Sequence, residues 1–126
     1  ELLMLEYGQR LATRHRNIAV SAANHSVGET LFGAALRGGA RAAGVALGAI
    51  EAGKRADFVV LDEQSALLAG RDRASLIDTF LFAGNTNLVR HVMVNGDWVV
   101  RDFRHRDRDR IGARYRETVE RLATSN

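Results

Sequence analysis

The sequence predicts a mixed α/β chain, and three observations predict it. Apolar residues recur at roughly helical spacing near both ends of the chain. A continuous apolar run, Phe58-Val59-Val60-Leu61, lies between Asp57 and Asp62 and has the character of a strand. Asn95-Gly96 sits between two apolar triplets, Val92-Met93-Val94 and Trp98-Val99-Val100, and Asn-Gly supplies the positive φ angles of a tight type I′ hairpin turn.

Taken in order, residues 1–16 read as a helix. Leu2, Leu3, Leu5, Leu11 and Ala12 form its apolar face, and Arg10, Arg14 and Arg16 stand near its end, where cations suit the dipole. Residues 17–25 are a connection rich in small side chains. Ser26-Val27-Gly28-Glu29 is a capping box, with Ser26 as N-cap and Glu29 reaching back. The helix it starts is expected to break at Gly38-Gly39 and resume briefly over Ala40–Ala43 until Gly44. Ala52-Gly53-Lys54 is a turn, and the strand at 57–62 is expected to be buried on both faces. Gly70-Arg71-Asp72 is a loop, residues 74–83 a helix ending at Gly84-Asn85, and residues 92–100 the hairpin. Asp107–Thr124 closes the chain as a polar amphipathic helix, with Ile111, Tyr115, Val119 and Leu122 on one stripe. Three short strands make a poor sheet, so at least one edge is expected to need a partner.

The 126 residues amount to one domain or a piece of a larger one, and 46% hydrophobic with 26% charged residues is ordinary for a soluble globular chain. No apolar run approaches the ~18–20 residues that cross a membrane. Glu1 and Glu6 stand where a signal peptide would be basic, and no Met starts the chain, so a longer parent is expected. Proline is absent, and the absence of cysteine excludes disulfides, thiolate zinc sites and a Cys nucleophile. A cytoplasmic location is expected. The net charge of +3 comes from 17 Arg and one Lys against 15 acids. Basic and acidic residues alternate, as in 101–110, which describes a solvated face; a nucleic-acid groove would want uninterrupted cations with stacking aromatics.

Catalytic constellations are hard to find. His15, His25, His91 and His105 include no pair at i, i+2 or i, i+4, the short spacings that let two imidazoles share a metal. His25 alone falls in a plausible pocket-edge loop, and a capping or packing role suits it better than a ligand role. Asp57 and Asp62 flank the strand; each could be a ligand or base. A structural role, holding the turn at 53–56, is the better reading, because no second ligand lies nearby. Ser21, Ser26 and Ser65 lack a G-x-S-x-G context, and Lys54 precedes Arg, so there is no phosphate loop.

Two spaced segments resemble a known superfamily. G-x-I-E-x-G-K-x-A-D-F-V-V-L-D (48–62) and V-x-x-V-M-V-N-G-x-W-V-V-R-D (89–102) are similar to the C-terminal signature of the amidohydrolases. LEYGQRLATRHRN (5–17), SVGETLFGAALRGGARAAG (26–44), LLAGRDRASLIDTFLFAG (67–84) and VVRDFRH (99–105) narrow the resemblance to the formimidoylglutamate deiminases, with LEYGQR the most specific word. Phe103 stands where that pattern has Gly. A Phe at positive φ is strained, so a different turn is expected there.

The resemblance implies the C-terminal part of a metal-dependent hydrolase. Residues 1–47 would be closing helices of a (β/α)8 barrel, 48–66 a β-sandwich strand segment, and 67–87 a helix with connecting loops. Residues 88–103 would be a sandwich hairpin and 104–126 the C-terminal helix. The implied reaction converts N-formimidoyl-L-glutamate to N-formyl-L-glutamate and ammonia, in histidine degradation. The implied cofactor is zinc, which lowers the pKa of a bound water to about 7. The family's metal ligands, substrate-binding arginines and catalytic Glu match no position here. The resemblance therefore implies no catalytic, cofactor-binding or metal residue in this chain, and no zinc bound by it alone. Implied partners are the rest of the barrel and sandwich, a small-molecule substrate for the whole enzyme, and further copies in a homo-oligomer, with neither nucleic acid nor membrane. Two other classes compete: a small α+β assembly module that uses an exposed sheet edge, and a basic nucleic-acid module whose binding would weaken steeply with salt.

Overall fold

The computed structural model describes residues 1–124. Its elements are α1 (Leu2–Thr13), α2 (Val27–Ala43), β1 (Phe58–Leu61), α3 (Arg73–Phe82), β2 (Val89–Val94), β3 (Asp97–Arg101), β4 (Arg104–His105) and α4 (Arg108–Thr124). The order matches the sequence reading, with β4 added.

Helix starts follow local chemistry. Ser26 takes extended backbone and its Oγ accepts the Glu29 N–H at 3.0 Å, as an N-cap does. The reciprocal half of the capping box is not made. The Ser26 N–H goes to Asn24 Oδ1 at 2.9 Å, while the Glu29 carboxylate meets Asn24 Nδ2 and Arg73. Asp72 caps α3 in the same way, accepting from the Ser75 N–H at 2.9 Å. The expected break at Gly38-Gly39 is absent, and α2 runs unbroken to Ala43. A helical glycine costs only about 1 kcal/mol against alanine and removes no backbone hydrogen bond. The helix stops where Gly44 turns left-handed, at φ 63°.

The sheet is antiparallel in the order β1-β2-β3-β4. Val94 pairs with Asp97, so Asn95 and Gly96 alone make the turn, at φ 52° and 85°. Val92 faces Val100 whereas Met93 faces Trp98, which leaves Val99 as a bulge in β3. Arg101 pairs with Arg104, and the turn between them places Asp102 and Phe103 at φ 46° and 63°. The altered turn expected from Phe103 is therefore not seen. Phe103 takes the strained left-handed backbone, held by its N–H to Arg90 O (2.9 Å) and by the Arg90–Asp102 ion pair.

Burial of β1 differs from expectation. Val59 and Val60 are 54% and 38% exposed. The strand pairs with β2 alone among the described residues, and nothing described covers that part of it. α1, α2 and α3 pack together, but among the described residues the buried apolar side chains are only Val27, Leu68 and Leu88. The accessible surface is 9614 Å², against about 6,600 Å² for a compact monomer of this mass. The apolar stripe of α4 is likewise open, with Ile111 and Leu122 at 52% and 63% exposure.

Candidate functional site

The most deeply buried charge in the described chain is Glu6, in the middle of α1. Glu6 and Arg10 are one helical turn apart, and Arg10 Nε donates to Glu6 Oε1 at 2.8 Å. The same carboxylate accepts the backbone N–H groups of Ile18 (2.9 Å) and Ala19 (3.2 Å), tying the loop after α1 back onto the helix. Arg10 also reaches Asn17 Oδ1 and lies over the rings of Tyr7 and Phe82, which stack at 6.1 Å. Burial, the largest influence on Glu6, pushes its pKa up. The Arg10 hydrogen bond, the two backbone N–H groups and the Arg10 charge together outweigh it and hold the carboxyl below its ordinary range.

Beside this cluster lies a pocket of about 220 Å³, lined by Tyr7, Arg10, Asn17, His25, Val27, Asp78 and Phe82. His25 is thus at a pocket edge, as its loop suggested. Asp78 faces the start of α2, where its Oδ1 accepts the Gly28 N–H at 2.5 Å. Glu6, Arg10 and Asp78 are residues that sequence reasoning passed over. The i, i+4 spacing of Glu6 and Arg10 was a visible signal; Asp78 meets Gly28 across 50 residues, and nothing local marks it.

The other candidates are dispersed into structural roles. His15 Nδ1 contacts Thr13 O, His91 Nδ1 accepts the Asp102 N–H, and His105 Nδ1 accepts the Asp107 N–H. Asp57 is structural, but the turn it holds is the hairpin. Its Oδ1 accepts the Asn95 N–H at 2.8 Å, and Arg55 binds Oδ2. The Arg55 hydrogen bond, with that of Asn95, lowers its pKa. Asp62 accepts from Gln64 N and pairs with Arg90. Ser21 Oγ accepts from Asn24 N. A second, largely apolar groove of about 510 Å³ runs between α2 and β1–β2, past Phe32, Leu36, Phe58, Val59 and Met93. It suits packing of another apolar surface rather than bond chemistry. Among the described residues no group of three or more His, Asp or Glu could hold a metal ion, and no helix is long and apolar enough to cross a membrane.

The structure is thus a set of helices and a small antiparallel sheet, with a carboxylate gripping the loop after the first helix. The chain belongs to the amidohydrolase family, whose sequence profile matches residues 2–99. It is 43% identical over 122 residues to the formimidoylglutamate deiminase of Pseudomonas aeruginosa, covering 97% of this chain and 27% of that protein. The crystal structure of an amidohydrolase from Brucella melitensis superposes with a TM-score of 0.83 at 34% identity, over 98% of this chain and 27% of that one. The chain therefore spans about a quarter of the length of each of these relatives.

Proposed function

We propose that this chain is the C-terminal part of a hydrolase that cleaves a C–N amidine bond, converting N-formimidoyl-L-glutamate and water to N-formyl-L-glutamate and ammonia. The observation that carries this reading is the 43% identity to formimidoylglutamate deiminase across 97% of the chain. In the same reading residues 1–47 close a (β/α)8 barrel, 48–66 and 88–103 contribute strands to a β-sandwich, 67–87 connect them and 104–126, whose last two residues lie outside the described ones, supply the C-terminal helix. The excess surface and the open edge of β1 support it, since both are faces that the rest of such an enzyme would cover.

Zinc belongs to the reading of the whole enzyme, yet the described residues do not fit a zinc ion. A catalytic site needs about three converging protein ligands, and among the described residues no three His, Asp or Glu converge; His15, His91, His105, Asp57 and Asp62 stand in separate hydrogen bonds. What these residues do is hold shape: Glu6 fixes the loop after α1, and Asp78 locks α2 to α3.

The test compares the full-length protein containing this chain with the chain alone. Ammonia release from N-formimidoyl-L-glutamate and elemental analysis are measured on both. Turnover and stoichiometric zinc are expected only for the full-length protein. A full-length protein inactive on this substrate but active on another C–N compound would overturn the substrate. Stoichiometric zinc or turnover in the chain alone would overturn the assignment of the site to the remainder.

A further inference from the structure

Asn95 is the one asparagine in the chain that is followed by glycine. Such a pair carries a latent reaction with water. The glycine backbone nitrogen gives its proton to a base and attacks the asparagine Cγ, an approach that the missing side chain leaves open. The Cγ–Nδ2 bond breaks, the nitrogen takes up a proton and leaves as ammonia, and a five-membered succinimide remains. Water then opens the ring at either carbonyl, giving aspartate or isoaspartate.

We propose that Asn95 is a conditional deamidation site, held closed by Ala56 and Asp57 just before β1 and opened when β1 leaves the hairpin. Asn95 is exposed, so water and hydroxide reach it. What restrains the reaction is the backbone. The Gly96 N–H that must lose its proton is donated to Ala56 O at 2.9 Å. The preceding N–H, of Asn95, is donated to Asp57 Oδ1 at 2.8 Å. Both turn residues are pinned at positive φ, and the attack would have to swing the Gly96 nitrogen out of its bond toward Cγ. The Asp57 carboxylate also places negative charge beside the peptide that would become anionic, and Arg55 keeps that carboxylate in position. The two hydrogen bonds and the charge come from the segment leading into one edge strand. The clamp is therefore only as durable as the docking of β1 on β2.

The product makes the opening permanent. Isoaspartate inserts a methylene into a main-chain turn that has just two residues between Val94 and Asp97. Aspartate adds a carboxylate beside Asp57 and Asp97, and like charges resist reclosure.

The experiment incubates the purified chain at mildly alkaline pH, folded and in urea. Peptide mass mapping follows each asparagine, with Asn17 and Asn24 as internal references, and amide hydrogen exchange follows Gly96. In the folded chain Asn95 should react about tenfold or more slowly than in urea, with the Gly96 amide protected. Asp57→Ala, with its helical circular dichroism intact, should raise the folded rate. Equal folded and urea rates would overturn the proposal, and so would an unprotected Gly96 amide. A folded Asp57→Ala chain reacting at the original rate would overturn the clamp. The comparison of folded and urea samples stands even if that variant does not fold.

Discussion

Gly28 and Asp78 touch where two helices meet: the Gly28 N–H, one of the free donors in the first turn of α2, ends on the Asp78 carboxylate of α3 at 2.5 Å. A Cβ built on Gly28 would lie 2.7 Å from Asp78 Oδ1 and 2.9 Å from its backbone nitrogen. Gly28→Ala should therefore push the helices apart and cost about 1–3 kcal/mol in urea unfolding. A Cβ at Gly38 would meet nothing within 4 Å, and Gly38→Ala should stabilise α2 by about 0.5–1 kcal/mol. Equal effects from the two substitutions would contradict the packing described.

Glu6→Gln keeps the shape of the side chain but removes its charge. The amide can still accept from one or two of the three donors, so a loss of about 1–3 kcal/mol is expected. The amides of Ile18 and Ala19 should lose hydrogen-exchange protection before those of α2.

Acid should unfold the chain in part through the same carboxylate. Glu6 titrates below its ordinary value of 4.5 in the folded chain, so the unfolded chain takes up the proton first as pH falls. Its contribution is complete above that ordinary value and is lost as pH falls through the lowered folded one. Asp57 adds to the fall from its ordinary value of 3.8 downward. Melting temperature against pH should drop below about pH 4.5, and the drop should be shallower in Glu6→Gln. An identical profile in that variant would show that Glu6 is not the group involved.

Phe103 is 44% exposed and sits at φ 63°, so it holds a strained backbone with little burial in return. Left-handed backbone costs a non-glycine residue roughly 1–2 kcal/mol, and glycine returns about half of that gain as unfolded-state entropy. Phe103→Gly should raise stability by about 0.5–1 kcal/mol. A lower melting temperature would mean that the ring contributes packing that outweighs the strain.

Ser26→Ala should cost roughly 1 kcal/mol, and Ser26→Asp should restore most of it by accepting the same Glu29 N–H. Because Asn24 already holds the Ser26 N–H, Glu29→Ala should cost less than Ser26→Ala.

The parts of the fold that were legible in the sequence rest on short-range chemistry. Asn95-Gly96 dictates its own turn, and Ser26 finds its acceptor role three residues away. Gly38-Gly39 misled because a glycine pair weakens a helix without breaking it. The strand at β1 misled for a different reason: its apolar composition speaks of cover on both faces, and the described chain supplies one neighbouring strand and little else. Asp78 was invisible because its partner lies 50 residues away. LEYGQR was legible as a family word before its purpose was; the structure shows its glutamate gripping a loop.

The open edge of β1 also bears on how this chain behaves when crowded. Phe58-Val59-Val60-Leu61 is a short, uncharged, proline-free strand that among the described residues has a neighbouring strand on one side alone, the kind of template on which a second molecule's strand can add. Aspartates stand immediately before and after it. Strands stacked in register would bring each of those carboxylates, with the arginine it pairs with, to about 4.8 Å from its copy, so like-charged groups would crowd along the stack. Asp57 and Asp62 thus place acidic side chains at both ends of the strand, the arrangement by which flanking charges guard an apolar strand against fibrous addition.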